Sequence, residues 1–197
     1  MDSRLLRNLI RDHADTGMMT DECHEHIAAC IEETVTQSGD WIVEIGTYYG
    51  NTAAFMARVL QALPTANHRL VTIDCFERAT DLQGNGRGIY GRLMDTLARW
   101  RVSDMVLVVT DFSQEAWRYL RPGFCFLTLD GSHQYEDVVA DLALYVPMLR
   151  TGGLVWMHDM HLPYTGPKRA LEEALATRDD LTLEAMHETD AILRKVR

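Results

Sequence analysis

Asp130, His133 and Asp159 are the residues whose types and placement point most directly to chemistry. Asp130 and His133 lie in the stretch LDGSHQYEDVVADL, Leu129 to Leu142, just after the apolar run FCFLTL, and Asp159 ends a second apolar run, GLVWMHD. A carboxylate at the end of a buried strand meets water or a ligand, and in open α/β sheets the carboxyl ends of the strands form the ligand crevice. A neutral imidazole at such a rim can take a hydroxyl proton near pH 7, although His133 is equally accounted for as a polar residue at the start of a helix. Two ionised carboxylates in one crevice repel each other, a cost that a cation or a proton between them removes. A divalent cation held by Asp130 and Asp159 is the expectation. The third ligand is left open between His158, His161 and water, and a nitrogen ligand would move the preference from Mg²⁺ toward a transition ion.

Three further acids stand at comparable places. Glu44 precedes the glycine of WIVEIG, Asp74 ends LVTID, and Asp111 ends MVLVVTD. As a set these acids predict convergence on one ligand region, while Asp111 alone could simply start a turn. In VEIGTYYGNTAAFMA, Gly46 and Gly50 let backbone approach a ligand at a strand-to-helix turn, where unpaired N–H groups point outward. The spacing is ExGxxxG with Tyr48 and Tyr49 inside, not the GxGxxG of a dinucleotide site, so a pyrophosphate would find little room. Asp74 stands where a carboxylate can accept hydrogen bonds from ribose hydroxyls. Tyr48, Tyr49, Trp41 and Trp156 read as core or rim packing, and of these only Tyr48 or Tyr49 is close enough in sequence to the glycine loop to touch a ligand.

The elements that must position these groups follow from alternation. The runs at 41–46, 70–74, 105–111, 124–130 and 153–159 are continuous and apolar, as in strands buried on both faces. Helical patterns lie between and after them, at 52–63, 90–100, 114–119, 135–149 and 168–177. Repeated βα units predict an α/β fold with a doubly wound, mostly parallel sheet. LTLEAMHE and DAILRKVR predict a closing antiparallel hairpin, which brings the sheet to seven strands. Residues 1–40 are helical and amphipathic, with Thr20 as an N-cap, and form a lid or interface segment on a single domain whose core spans 41–197. Their apolar faces suggest a homodimer or higher homo-oligomer. The stretch 77–91, rich in glycine, reads as a flap over the site.

Composition narrows the partners. With 29 acidic against 19 basic residues the net charge is -10, which disfavours nucleic acid and anionic membranes. The beginning of the sequence has no signal-peptide core and no run is long enough to span a bilayer, so a cytoplasmic protein is expected. Cys23, Cys30, Cys75 and Cys125 form no CxxC pair and read as reduced thiols.

The acid after the first strand, the acid ending the second and the final hairpin together resemble the class I S-adenosylmethionine-dependent methyltransferases, over about Ile42 to Arg197. Within them, the DGxHxYxxVxxD pattern followed by GG and HD resembles small-molecule O-methyltransferases related to catechol O-methyltransferase and to macrolide-sugar and cephalosporin-pathway enzymes. The resemblance implies that Glu44, Gly46 and Gly50 hold the methionine part of S-adenosylmethionine, and Tyr48, by its place in the loop, is a further cofactor contact. It implies Asp74, with Cys75 beside it, for the ribose, and Asp111, Phe112 and Ser113 for adenine, with Asp130 at the reacting end. It also implies a divalent cation, Mg²⁺ first, on Asp130 and Asp159. Catechol-type enzymes place asparagine after the last acid; here Met160 follows Asp159 and His158 precedes it, which makes His158 a further ligand or catalytic group.

The expected reaction is methylation of a small-molecule hydroxyl, with the cation lowering the acceptor's pKa and His133 facing the acceptor. An oxidative enzyme of the cephalosporin-hydroxylation type and a non-catalytic cofactor-binding subunit are the alternatives.

Overall fold

The computed structural model describes residues 1–14, 19–76, 88–161 and 163–197. Two helices, α1 (Ser3–Ala14) and α2 (Asp21–Thr34), precede β1 (Trp41–Ile45), α3 (Asn51–Ala62), β2 (Arg69–Asp74), α4 (Ile89–Arg99) and β3 (Val106–Thr110). The short α5 (Ser113–Ala116), β4 (Phe124–Leu129), α6 (Tyr135–Tyr145), β5 (Leu149–His158), α7 (Gly166–Thr177), β6 (Leu181–Met186) and β7 (Asp190–Lys195) follow. The seven strands form one sheet in the order β3-β2-β1-β4-β5-β7-β6. β3, β2, β1, β4 and β5 run parallel, and β7 is antiparallel to β5 and β6, as the closing hairpin predicts.

Alternation along the buried strands divides the core. Ile42, Leu70, Phe126, Leu154 and Trp156 face α2, α3 and α4, whereas Val43, Val71, Leu127, Val155 and Met157 face α6 and α7. Both faces of the sheet are therefore covered, which is why the strands read as continuous apolar runs. The chain leaves β1 toward β2 on one side, and β4 lies on the other side of β1. That reversal places a crevice beyond the carboxyl ends of β1 and β4, where such sheets bind ligands.

The lead-in helices are tied to this sheet. Thr20 caps α2, its side chain accepting from the N–H of Cys23, and Asp21 and Glu22 place negative charge in the first turn. Leu9, Ile10, Ile27 and Ile31 are buried within the same core as the sheet, so these apolar faces are covered by their own chain.

Two boundaries differ from expectation. α6 stops at Tyr145, not Leu149, because Pro147 lies in a tight 3₁₀ turn over Val146–Met148 and cannot donate to a continuing helix. β5 begins at Leu149 rather than Gly153. The expected flap falls mostly on residues 77–87, outside the described residues; Gly88 and Gly91 belong to the start of α4. All four cysteines are free thiols. Among the described residues no helix is long and apolar enough to cross a membrane.

Candidate functional site

Beyond the ends of β1, β2, β3, β4 and β5 lies a cleft of about 760 Å³. This is within the range that holds a cofactor or drug-sized ligand. Asp74, Asp111, Asp130 and Asp159 all line it, together with Gly46, Tyr48, Cys75, Phe112, Ser113, His133 and His158. The convergence predicted from the strand-end acids is what the sheet produces, with one exception.

Glu44 is the exception. It lies inside β1, 1% exposed, and does not line the cleft. The Thr72 hydroxyl donates to one carboxyl oxygen, and the other oxygen has no hydrogen-bond partner. Burial, reinforced by the charges of Asp130 and Asp74 and opposed by the Thr72 bond, pushes the carboxyl up to about 8. Gly50 does not line the cleft either; it stands at the N-cap of α3 with φ of 77°.

The floor of the cleft is a close approach of two strand ends. Gly46 has φ of 94°, and a Cβ on it would lie 2.1 Å from the carbonyl oxygen of Asp130. Only glycine fits there. Asp130 N–H in turn donates to the Ile45 carbonyl at 2.9 Å.

Asp74 organises the loops around this floor. One carboxylate oxygen accepts from Thr47 N–H (3.0 Å) and Tyr48 N–H (2.8 Å), and the other from Phe76 N–H at 2.8 Å. The oxygen that accepts only from Phe76 still has a lone-pair direction to offer. Asp111 accepts from Phe112 N–H at 2.8 Å and from the Tyr119 hydroxyl at 3.2 Å, so it starts a turn and lines the cleft at once.

The reacting end is a knot of carboxylates and imidazoles. His133 Nε2 lies 2.6 Å from Asp159, and His158 Nδ1 lies 3.0 Å from Asp130 and 3.6 Å from Asp159. The hydrogen bond to Asp159 raises the His133 pKa against burial. Burial would lower that of His158, but its bonds to Asp130 and Cys23 and the charges of Asp130 and Asp159 push it up to about 11. Asp159 is held below the usual carboxylate range: burial would raise it, and the bond from His133 and the nearby histidine charges prevail.

Ligand atoms of Asp130, His133 and Asp159 all lie within 4.8 Å of one another, a donor set that suits a divalent cation. His133, rather than His158, supplies the nitrogen of that set. The carbonyl of His133 packs against Gly166 at the start of α7, where a Cβ would come within 2.2 Å. The ring of Tyr164 covers His133 with centroids 4.0 Å apart.

Several residues here were not anticipated. Thr20 and Thr189 bring the lead-in segment and the hairpin to the cleft wall. Asp141, 4% exposed, also lines it; burial pushes this carboxyl up to about 7 against a hydrogen bond with Ser113. The terminal aspartate of the DGxHxYxxVxxD pattern was the available signal for Asp141.

Residues 43–160 match the family model of a methyltransferase domain. No curated protein matches the chain by sequence. Among solved structures, the O-methyltransferase from Bacillus cereus in complex with SAH is similar at 15% identity and TM-score 0.69, covering 100% of this chain and 92% of that one. The O-methyltransferase TomG from Streptomyces achromogenes, involved in tomaymycin synthesis and solved with SAM, is similar at 17% identity and TM-score 0.67, with coverage of 100% and 92%. An rRNA methylase from Streptococcus thermophilus gives 15% identity and TM-score 0.62, covering 92% of this chain and 100% of that one.

Proposed function

Because the chain belongs to the methyltransferase domain family, we propose that it transfers the methyl group of S-adenosylmethionine to a hydroxyl of a small molecule, with His133 as the base. The observation that carries this reading is the 2.6 Å contact between His133 and Asp159 at the end of the cleft where Asp130 and His158 also meet. With Nε2–H donating to Asp159, Nδ1 holds the lone pair that takes the acceptor proton. Asp159 fixes that tautomer and stabilises the imidazolium that forms, as the acid of a catalytic triad does. Tyr164, which covers His133, also lines the cleft.

The cofactor supplies a methyl group on a positively charged sulfonium, so the protein's part is alignment and removal of water. The cleft volume, the start of α3 at its wall and the remaining lone pair of Asp74 suit it. Asp111, Phe112 and Ser113 also line the cleft and suit the adenine. A small acceptor is favoured over RNA by the net charge of -10, which would repel a phosphate backbone.

A second reading rests on the donor set. Where a divalent cation is bound, Asp130, His133 and Asp159 would hold it, and it would lower the pKa of the acceptor hydroxyl. In that state His133 is a ligand and cannot also be the base. Calorimetric titration with S-adenosylmethionine and its demethylated product tests the whole assignment; absence of binding with and without divalent ions overturns it. Methyl transfer that survives a strong chelator supports the base reading, and activity restored only by added ion supports the second.

A further inference from the structure

Among the described residues a second group of potential ligands lies outside the site described above: Glu22 and His26 on α2, and His187 in the turn between β6 and β7. Their ligand atoms lie within 4.8 Å of one another, and His26 Nε2 is 3.9 Å from Glu22. The His26 and His187 rings are stacked, with centroids 3.8 Å apart and planes 21° from parallel.

An independent feature points the same way. His26 Nδ1 lies 3.0 Å and 3.2 Å from the two carboxylate oxygens of Asp190, whose side chain is 1% exposed. Asp190 is itself held by the indole N–H of Trp156 at 2.8 Å. A buried carboxylate on one ring nitrogen sets the tautomer and leaves the lone pair on the other, which is the support that metal-ligating histidines receive. Here that other nitrogen faces Glu22 and the neighbourhood of His187.

We propose that Glu22, His26 and His187 form a site for a borderline divalent transition ion such as Zn²⁺ or Co²⁺, with Asp190 orienting His26. Two imidazoles and one carboxylate are a donor set that zinc accepts with a fourth position left to water, and Mg²⁺ does not prefer. Ligation at about 2.0 to 2.1 Å from the ion draws the three atoms closer than they stand. The His187 ring turns out of its stack so that its lone pair converges with that of His26. The ion then ties α2 to the hairpin turn, and through Thr20 and Thr189, which line the cleft, it braces one wall of the site.

The test uses the full chain stripped of metal by chelator and dialysis. In an Asp130→Asn/Asp159→Asn double variant, which removes the other donor set, Co²⁺ alone is titrated and followed by visible absorption. One bound Co²⁺, displaced by Zn²⁺, is expected, and adding His187→Gln or Glu22→Gln should weaken it at least ~10-fold. Circular dichroism confirms that each variant is folded. If the double variant does not fold, the wild type and His187→Gln are compared, and the latter should lose one equivalent. Zn²⁺ should also raise the unfolding temperature of the double variant, and not once His187→Gln is added to it. The proposal is overturned if the folded double variant shows no Co²⁺ band, or if His187→Gln and Glu22→Gln bind the ion as well as their parent.

Discussion

Replacing Glu44 by Gln should change how stability depends on pH. The carboxyl is buried, its pKa is about 8 in the folded chain, and its ordinary value is near 4.5. Between those two values the folded state holds a proton that the unfolded state has lost. Stability contributed by the neutral carboxyl is therefore fully present below about 4.5, falls as pH rises through the window, and levels off above about 8. Each unit of pKa difference is worth about 1.4 kcal/mol, which sets an upper bound of roughly 4 kcal/mol lost by the wild type between pH 5 and 8.5. The glutamine amide has no such proton to lose. With its oxygen accepting from Thr72, its NH₂ replaces the oxygen that lacks a partner and leaves a buried donor unsatisfied, a penalty of about 1 to 3 kcal/mol that applies equally at every pH. The quantity to read is thus the change with pH of the stability difference between variant and wild type, since other titrating groups cancel. Urea unfolding at pH 5, 7 and 8.5 should show Glu44→Gln gaining roughly 2 to 4 kcal/mol relative to wild type across the range. A difference constant to within about 0.5 kcal/mol would show that Glu44 is ionised throughout and refute the reasoning.

Gly46→Ala should destabilise the chain by about 3 kcal/mol or more, because its Cβ meets the Asp130 carbonyl at 2.1 Å in a left-handed conformation; urea unfolding measures this. Asp74→Ala should weaken binding of the demethylated cofactor by roughly 1.5 to 3 kcal/mol by calorimetry. It should also lower stability, since Thr47, Tyr48 and Phe76 lose their acceptor. His133→Asn should reduce turnover about 10²- to 10⁴-fold while leaving cofactor affinity unchanged, which a paired kinetic and calorimetric measurement checks.

Sheet and site were legible to different depths for physical reasons. Strands buried on both faces announce themselves as apolar runs, and their carboxyl ends must share an edge, so Asp74, Asp111, Asp130 and Asp159 were placed correctly at one cleft. Glu44 was grouped with them because it precedes a strand-end glycine, yet the alternation carried the correction. In VEIG, VTID and LTLD the polar residue stands at the same offset, and the register pairs Glu44 with Thr72 and with Thr128. A polar row crossing three strands lies within the sheet, not at its end. The pairings His133 with Asp159 and His158 with Asp130 were out of reach, since they join the loop after β4 to the end of β5 and depend on how far each side chain reaches. For the same reason a cation is not the sole means of holding two carboxylates in one crevice: the chain supplies imidazoles of its own.

Backbone strain explains how His158 and Asp159, adjacent in sequence, reach the same cleft. Successive residues of a strand point to opposite faces, so one of the two should face away. Asp159 has φ of 58°, a left-handed conformation that a non-glycine residue adopts only when its surroundings impose it, and this reverses the alternation at the point where β5 ends. Tyr48 and Phe76, with φ of 48° and 54°, are strained in the same way beyond β1 and β2. Each strained residue is fastened by a charged hydrogen bond: Asp74 accepts from the N–H groups of both Tyr48 and Phe76, and Asp159 is held by His133. Such strain costs of order 1 to 3 kcal/mol per residue, comparable to what one charge-assisted hydrogen bond returns. The acids at this edge therefore hold the geometry of the cleft as well as facing whatever binds in it. A substitution at Asp74 or Asp159 must for that reason be read by fold stability and by ligand affinity together.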